Sequence, residues 1–421
     1  RYEGKKMKLT VVMLLGVAAL TSAIEYQRYK VVSVRPRTHE EVMIVEGLVN
    51  RWELDQWSSL KALGTPMDIM VSPRLTQRFL GVLRRRHIPF TIKINDVQAL
   101  INTESAQYKT SQSMPHKFDH ADYHRTDEVS NESDAFLIYS ILKGAETDFP
   151  DLVTIYTAAT TYEGRDIRVA KVSTGGSKPV IWIDCGIHAR EWIAHATCQY
   201  ILDQLTSGSN SDSEVSALLD SYDFHIMPVV NPDGYEYTWT SDRLWRKNRV
   251  PNTICHGVDC NRNFDSDFGG IGTSDNPCSD LYHGKSAFSE KESQVVRDSI
   301  KDLGVKMFVT IHSYSQLWMT PYGYTNDKPA NYDEQYRVAG EAVVALEAVH
   351  GTRYQYGNIA DVIYMAAGGS IDWAYDSAGV EYAFGLELRD TGSYGFLLPK
   401  EQIIPTGEET WAGIKAAVQA I

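Results

Sequence analysis

Two histidines and two glutamates stand where short apolar runs give out. Val180 to Cys185 leads directly into Gly186-Ile187-His188-Ala189-Arg190-Glu191. Met307 to Ile311 ends at His312, and Tyr382 to Leu388 carries Glu387 near its end. Two imidazoles and one carboxylate form a common catalytic zinc set that keeps a fourth position for water. His188 and Glu191, three apart across a strand-to-helix turn, can aim at one point, and His312 would close the tripod. Glu387, not bound to metal, would then serve as base toward a water made acidic by the ion. The same spacing also suits a strand-end histidine bonded to a helix-start glutamate with no metal. H-x-x-E alone is weakly specific, since His116-x-x-Asp119 and His124-x-x-Asp127 place a histidine and an acid equally far apart.

A second constellation is basic. Arg243-Leu244-Trp245-Arg246-Lys247-Asn248-Arg249 stands out in an acidic stretch, and Asn261-Arg262-Asn263 follows it. Such a run can be a solvated loop. If it faces the strand ends, it forms a receptor for carboxylates and oxyanions, because the guanidinium fork binds them bidentately and stays charged. Metal-assisted hydrolysis beside a carboxylate receptor points to cleavage next to a free C-terminus. Other engines lack their parts: there is no H-E-x-x-H and no G-x-S-x-G. Gly284-Lys285-Ser286 resembles the end of a phosphate loop, but Ser279 stands where the first glycine belongs.

These residues need a scaffold that gathers strand ends, and the pattern supplies one. Apolar runs at Val180–Cys185, His225–Val230, Met307–His312 and Tyr382–Leu388 read as strands. Helical spacing follows at Trp192–Leu205, Glu290–Leu303 and Tyr336–His350. Alternation of this kind predicts an α/β sandwich around a mixed sheet, with function at the carboxyl ends of strands. A smaller body precedes it. Strands are predicted at Lys30–Val34, Met67–Val71 and Pro89–Ile94, with helices at Glu40–Asn50 and from Pro73 to Arg86. This order fits a ferredoxin-like α+β domain. Val97–Gln107 reads as a connecting helix. Lys109–Lys117 reads as a polar, turn-rich linker that a trypsin-like protease could cut.

The 421 residues carry a net charge of −13, which argues against a partner held by phosphate attraction. Residues 1–23 carry +3 and residues 24–111 hold 13 basic and 9 acidic residues, a net +4, which leaves −20 from Gln112 onward. The asymmetry predicts two bodies that attract each other. Lys8, the apolar run Leu9–Leu20 and Thr21-Ser22-Ala23 read as a signal peptide, and Arg1–Lys6 as an extension upstream of Met7. The run is too short to span a bilayer, so a secreted chain is expected, with no membrane and no nucleic-acid partner. Secretion permits disulfides among Cys185, Cys198, Cys255, Cys260 and Cys278, and five is odd, so one thiol should be left over. Asn131-Glu132-Ser133 matches a glycosylation acceptor.

Taken in order, the motifs resemble those of the zinc metallocarboxypeptidases, specifically the secreted digestive A/B-type procarboxypeptidases. The matching segments are Gly186–Glu191, Asn231-Pro232-Asp233-Gly234, Leu244–Lys247, Asn261–Asn263, Ile311–Gln316, Gly368–Trp373 and Glu387–Gly392, spread over residues 118–421. The resemblance implies a mixed eight-stranded sheet sandwiched by helices and one Zn2+ per chain. It implies a signal segment over residues 1–23, an inhibitory prodomain with connecting helix over 24–111 and a catalytic domain over 112–421. His188, Glu191 and His312 would bind zinc, Glu387 would be the base and Arg246 would hold the oxyanion. Asn261 and Arg262 would clamp the terminal carboxylate under Tyr364, and Arg190 would meet the peptide upstream. Asp259 would orient His188. Cys255–Cys278 and Cys185–Cys198 would pair, leaving Cys260. Cis bonds are implied at Ser313-Tyr314, Pro321-Tyr322 and Arg389-Asp390.

Ile371 matches the floor of the terminal side-chain pocket, where an acidic residue would select Lys and Arg. An apolar floor leaves a buried cation unpaired, so aliphatic or aromatic C-terminal residues are expected. Gly385, also in that pocket by the match, leaves room for bulk. The implied partners of this A-type zymogen are peptide or protein C-termini, a trypsin-like protease cutting near Lys109 or Lys117, and proteinaceous carboxypeptidase inhibitors; a monomer is expected. The alternatives are a B-type enzyme releasing Lys or Arg and an inactive relative that only binds peptides.

Overall fold

The computed structural model describes residues 23–111, 120–126 and 138–421. The expected signal segment, His116, Lys117, Asp119, Asp127 and Asn131 lie outside the described residues. A small sheet comes first. It contains β1 (Lys30–Val34), β2 (Asp55–Gln56), β3 (Met67–Val71) and β4 (Phe90–Ile94), in the order β2-β3-β1-β4. Helices His39–Trp52 and Pro73–Arg85 complete the ferredoxin-like order. β2 has two residues only, too short to carry an alternating pattern, so no reading of periodicity could find it.

Both faces of this small sheet are buried, and the strand period of two sorts their partners. Val32, Val34, Met67, Ile69 and Val71 pack under the two helices. Val31, Met70 and Ile94 point the other way and pack with Leu244, Tyr314, Phe396 and Leu397 of the larger body. The small sheet therefore lies between its own helices and the rest of the molecule.

The larger body is a mixed eight-stranded sheet. Its strands are β5 (Val153–Thr160), β6 (Asp166–Val172), β7 (Val180–Cys185), β8 (Asp223–Met227), β9 (Val305–Ser313), β10 (Leu317–Thr320), β11 (Gln355–Asn358) and β12 (Tyr382–Leu388). They run in the order β11-β10-β12-β9-β7-β8-β6-β5. β12, β9, β7 and β8 are mutually parallel and central. Helices cover both faces, which is why these four strands read as continuous apolar runs. Trp192–Gly208 and Ile403–Gln419 share one core with one face of the sheet, and Lys291–Leu303 and Ser370–Asp376 cover the other.

The pairing Cys185–Cys198 ties β7 to the helix behind it, and Cys255–Cys278 closes a surface loop. Cys260 is buried and free. The three expected cis bonds are present. One expectation fails: the connecting helix runs over Val97–Ser111, so Lys109 stands in helix and not in a turn-rich linker. Its backbone is closed by helical hydrogen bonds, against the extended form a protease needs.

Candidate active site

The register of three parallel strands builds the site. Cys185 of β7 lies beside Ile311 of β9, and His312 of β9 beside Glu387 of β12. The chain leaves β7 through Gly186 at φ +72 and returns through His188 to Glu191, which caps the helix Trp192–Gly208. Gly186 is required there: a Cβ would sit 1.7 Å from His195 Cε1.

His188, Glu191 and His312 are buried, and one ligand atom from each lies within 4.8 Å of the others. His188 Nδ1 is 2.8 Å from Glu191 Oε1, and His312 Nδ1 is 3.1 Å from Glu191 Oε2 and 3.1 Å from His188 Nδ1. His188 Nε2 lies 3.2 Å from Asp259 Oδ1. A carboxylate there draws the ring proton to Nε2 and leaves the Nδ1 lone pair facing Glu191. Two acceptors and a second imidazole nitrogen so close together form a cluster that could hold a metal ion. Burial, then Arg246, lowers the His188 pKa and keeps the ring neutral. Burial works against the charge of Glu191, but His188 and His312 overcome it and hold the carboxyl far below its ordinary range.

Glu387 stands at the edge of this cluster. Its Oε2 is buried and meets no hydrogen-bond partner among the described residues. Burial, followed by the charge of Glu191, pushes its pKa up to about 8. The orphaned carboxyl stands beside a second carboxylate, and although burial opposes it, Glu191 raises the His312 pKa, so the cluster is short of positive charge. A divalent ion held by His188, Glu191 and His312 fits that deficit.

Asp259 joins the metal cluster to the basic one. Its Oδ2 accepts from Arg246 Nη2 at 2.9 Å and Nε at 3.1 Å, while its Oδ1 serves His188 and the Asn261 N–H. Its pKa falls well below the ordinary value despite burial, because Arg246 and His188 flank it. Arg246 Nη1 is 3.8 Å from Glu191 Oε1, which places the guanidinium on the rim of the cluster.

A cleft of about 500 Å³, partly open to solvent, runs from His188, His312 and Glu387 past Asn261, Arg262 and Tyr364 to Ile371. Arg262 is held by the carbonyls of Gly272 and Asn261, and its Nη2 lies 3.3 Å from the Tyr364 hydroxyl. Asn261 Oδ1 accepts from the Ser370 N–H. The far end is largely apolar, with Met319, Ile359, Ile363, Ala366 and Ile371. Met319 pairs with Gly385 across β10 and β12. A Cβ on Gly385 would meet Ile371 Cδ1 at 2.3 Å, so the glycine makes space that the isoleucine fills. Ser370 and Asp372 also line this end. Asp372 accepts from two backbone N–H groups at 2.8 and 3.2 Å, and burial lifts it to about 7.

Arg190 points elsewhere. Its Nη1 pairs with Asp55 of β2 at 3.0 Å, so the small body occupies the group expected to meet peptide. Arg243 likewise meets Glu104 of the connecting helix. Neither acid was marked in the sequence, because nothing local distinguishes an acid that reaches across an interface. These contacts also correct the charge argument. The bodies carry +4 and −20, yet in the two ion pairs that cross the interface among the described residues the basic body supplies the acid and the acidic body the arginine.

Known proteins resemble the chain over most of its length. The family model "Zinc carboxypeptidase" matches residues 138–413, and "Carboxypeptidase activation peptide" matches residues 32–104. Mouse carboxypeptidase A2 is 42% identical over 399 residues, covering 93% of each chain. The crystal structure of thrombin activatable fibrinolysis inhibitor superposes with a TM-score of 0.84 at 35% identity, covering 94% of this chain and 98% of that one. The bovine form of that protein, in complex with tick carboxypeptidase inhibitor, gives 0.66 at 40% identity over 71% of this chain and 97% of its own.

Proposed function

The chain belongs to the zinc carboxypeptidase family, and from that premise we propose which of its residues do the work. The protein is a zinc-dependent exopeptidase of the A type, carrying an activation peptide and therefore a zymogen. Its cofactor is one Zn2+. In our reading His188, Glu191 and His312 hold the ion, and Asp259 fixes the His188 tautomer. Bound zinc supplies Lewis acidity and lets water act as a nucleophile near neutral pH. Glu387 would accept a proton from the attacking water and return it to the departing amine. Arg246 donates to the oxygen that gains charge at the scissile carbonyl. Asn261 and Arg262 bind the terminal carboxylate, and Tyr364 closes over it. Arg190 binds the peptide upstream once Asp55 has left. Ile371 sets the terminal residue, which is aliphatic or aromatic, while Gly385 gives Ile371 its place and does not leave the expected room for bulk.

The observation that carries this reading is the convergence of three ligand atoms within 4.8 Å at one end of a cleft that also contains Arg262 and Ile371. Peptide and protein C-termini are the substrates, taken by a monomer, and proteinaceous inhibitors that enter the same cleft are further partners. The prodomain ends with the helix Val97–Ser111, and the catalytic part begins after it. Cleavage by a trypsin-like protease falls at Lys117, or at Lys109 once the helix end has opened. The leader pattern supports secretion, and no helix among the described residues is long and apolar enough to cross a membrane. A panel of blocked dipeptides differing only in the last residue, assayed after trypsin treatment, tests the pocket. Hydrolysis should be fastest with Leu, Phe, Tyr or Trp at the end. Preference for Lys or Arg would overturn the assignment of Ile371.

A further inference from the structure

The helix Pro73–Arg85 contains no acidic residue and lies on the side of the small sheet turned away from the catalytic body. Arg74, Arg78 and Arg85 are exposed and recur at spacings that keep them on one helix face. Arg84, Arg86 and His87 are exposed beside them. Two backbone-directed contacts bring another basic segment to the same end. The Arg35 N–H donates to Pro89 O at 2.8 Å, and Arg37 Nη2 donates to His87 O at 2.9 Å. Arg35 and Arg37 are exposed as well. Within this group Arg37 meets a carboxylate, Glu41 at 3.5 Å, and none of the other arginines has an ion-pair partner among the described residues. Arg78 stacks on Trp52 and Arg84 on Phe90, at 5.1 and 5.7 Å from the ring centres, which stiffens them in place.

A ridge of unpaired guanidinium groups is costly in self-repulsion and becomes favourable when it meets a polyanion. Its shape narrows the choice. Thirteen residues of helix extend the row to about 20 Å, the form of a linear chain and not of a point ligand. No large apolar side chain of this helix is exposed, so the surface lacks the wedge that inserts into a bilayer. Guanidinium forks suit tetrahedral oxyanions with two donors each. We propose that this face of the activation domain binds a sulfated polysaccharide, so that the zymogen is held on such a chain. The corollary rests on the zymogen reading above: activation severs the basic domain, and the catalytic body, net −20 with its linker, is released from the polyanion.

The test uses the intact zymogen on immobilised heparin, with no activity measured, so that it stands apart from any result on peptidase function. Retention at physiological salt is expected, together with loss of retention on desulfated heparin. The triple variant Arg84→Ser, Arg85→Ser, Arg86→Ser alters exposed residues only. It should elute at lower salt, weaken binding at least about tenfold and flatten the log Kd against log salt slope by about two to three. The single variant Arg85→Ser should fall between. Trypsin-activated enzyme, freed of its prodomain, should flow through. The proposal fails if the zymogen is not retained, if desulfated heparin retains it equally, if activated enzyme binds as well, or if phosphatidylserine vesicles bind it and heparin does not.

Discussion

Exchanging Glu387 for Gln keeps its size and removes its basicity. Because the proposed mechanism gives the carboxylate no part in holding the ion, zinc content should be unchanged, while kcat falls by about 10²- to 10⁴-fold. Elemental analysis beside steady-state kinetics checks both halves, and loss of zinc in the variant would show that Glu387 is a ligand. The pocket has its own test. Ile371→Asp should lower kcat/KM for a terminal Phe and create activity toward Lys or Arg, because the buried cation gains a partner. Unchanged preference would place the specificity elsewhere. The convergence of His188, Glu191 and His312 was legible because they stand at or just past the ends of apolar runs, where the strand must stop and a loop begins. Asp55 and Glu104 were not, because an acid that reaches across an interface differs in no local feature from one in solvent. The apolar wall residue Met319 was also hidden. Its place in the cleft follows from the β10–β12 register with Gly385, and register between distant segments is not written in either one.

At the scale of elements, the turn after β7 aims the ligands, and it depends on one residue without a side chain. Gly186→Ala would press a methyl into His195 and force a left-handed backbone on alanine. We expect a loss of about 3 kcal/mol or more in denaturant unfolding, with lowered zinc affinity in whatever folds. A loss below about 1 kcal/mol would mean that the turn can relax. The four central strands were readable as apolar runs because helices bury both of their faces. β1, β3 and β4 of the small sheet were readable as well, but β2, β5, β6, β10 and β11 were not. β5 alternates irregularly around a bulge, β10 and β11 have four residues each, and β2 has two. Short elements take their shape from neighbours and carry little periodicity of their own.

At the scale of the molecule, the activation domain sits on the catalytic body through an apolar patch and the part-buried pair Asp55–Arg190. Removing one partner of such a pair leaves the other uncompensated. Asp55→Ala in the intact zymogen should therefore raise hydrolysis of small blocked dipeptides before any cleavage, and should speed dissociation of the severed domain. An equally silent zymogen would assign the masking to the apolar patch centred on Trp57, Tyr314 and Phe396. The net charges of +4 and −20 differ in sign along the chain, yet the two ion pairs across the interface reverse those signs, because local pairing depends on which side chains meet and not on totals.

The central claim is that one zinc ion, held by His188, Glu191 and His312, is the seat of activity. Its most direct test is the metal content of the trypsin-activated protein, followed through chelation and zinc return, in the native chain and in His188→Ala and His312→Ala. The native protein should contain about one zinc per chain, lose hydrolysis with the metal and regain it on return, while both variants bind little zinc and stay inactive. Full activity in protein stripped of zinc, or stoichiometric tightly bound zinc in either variant, would contradict it.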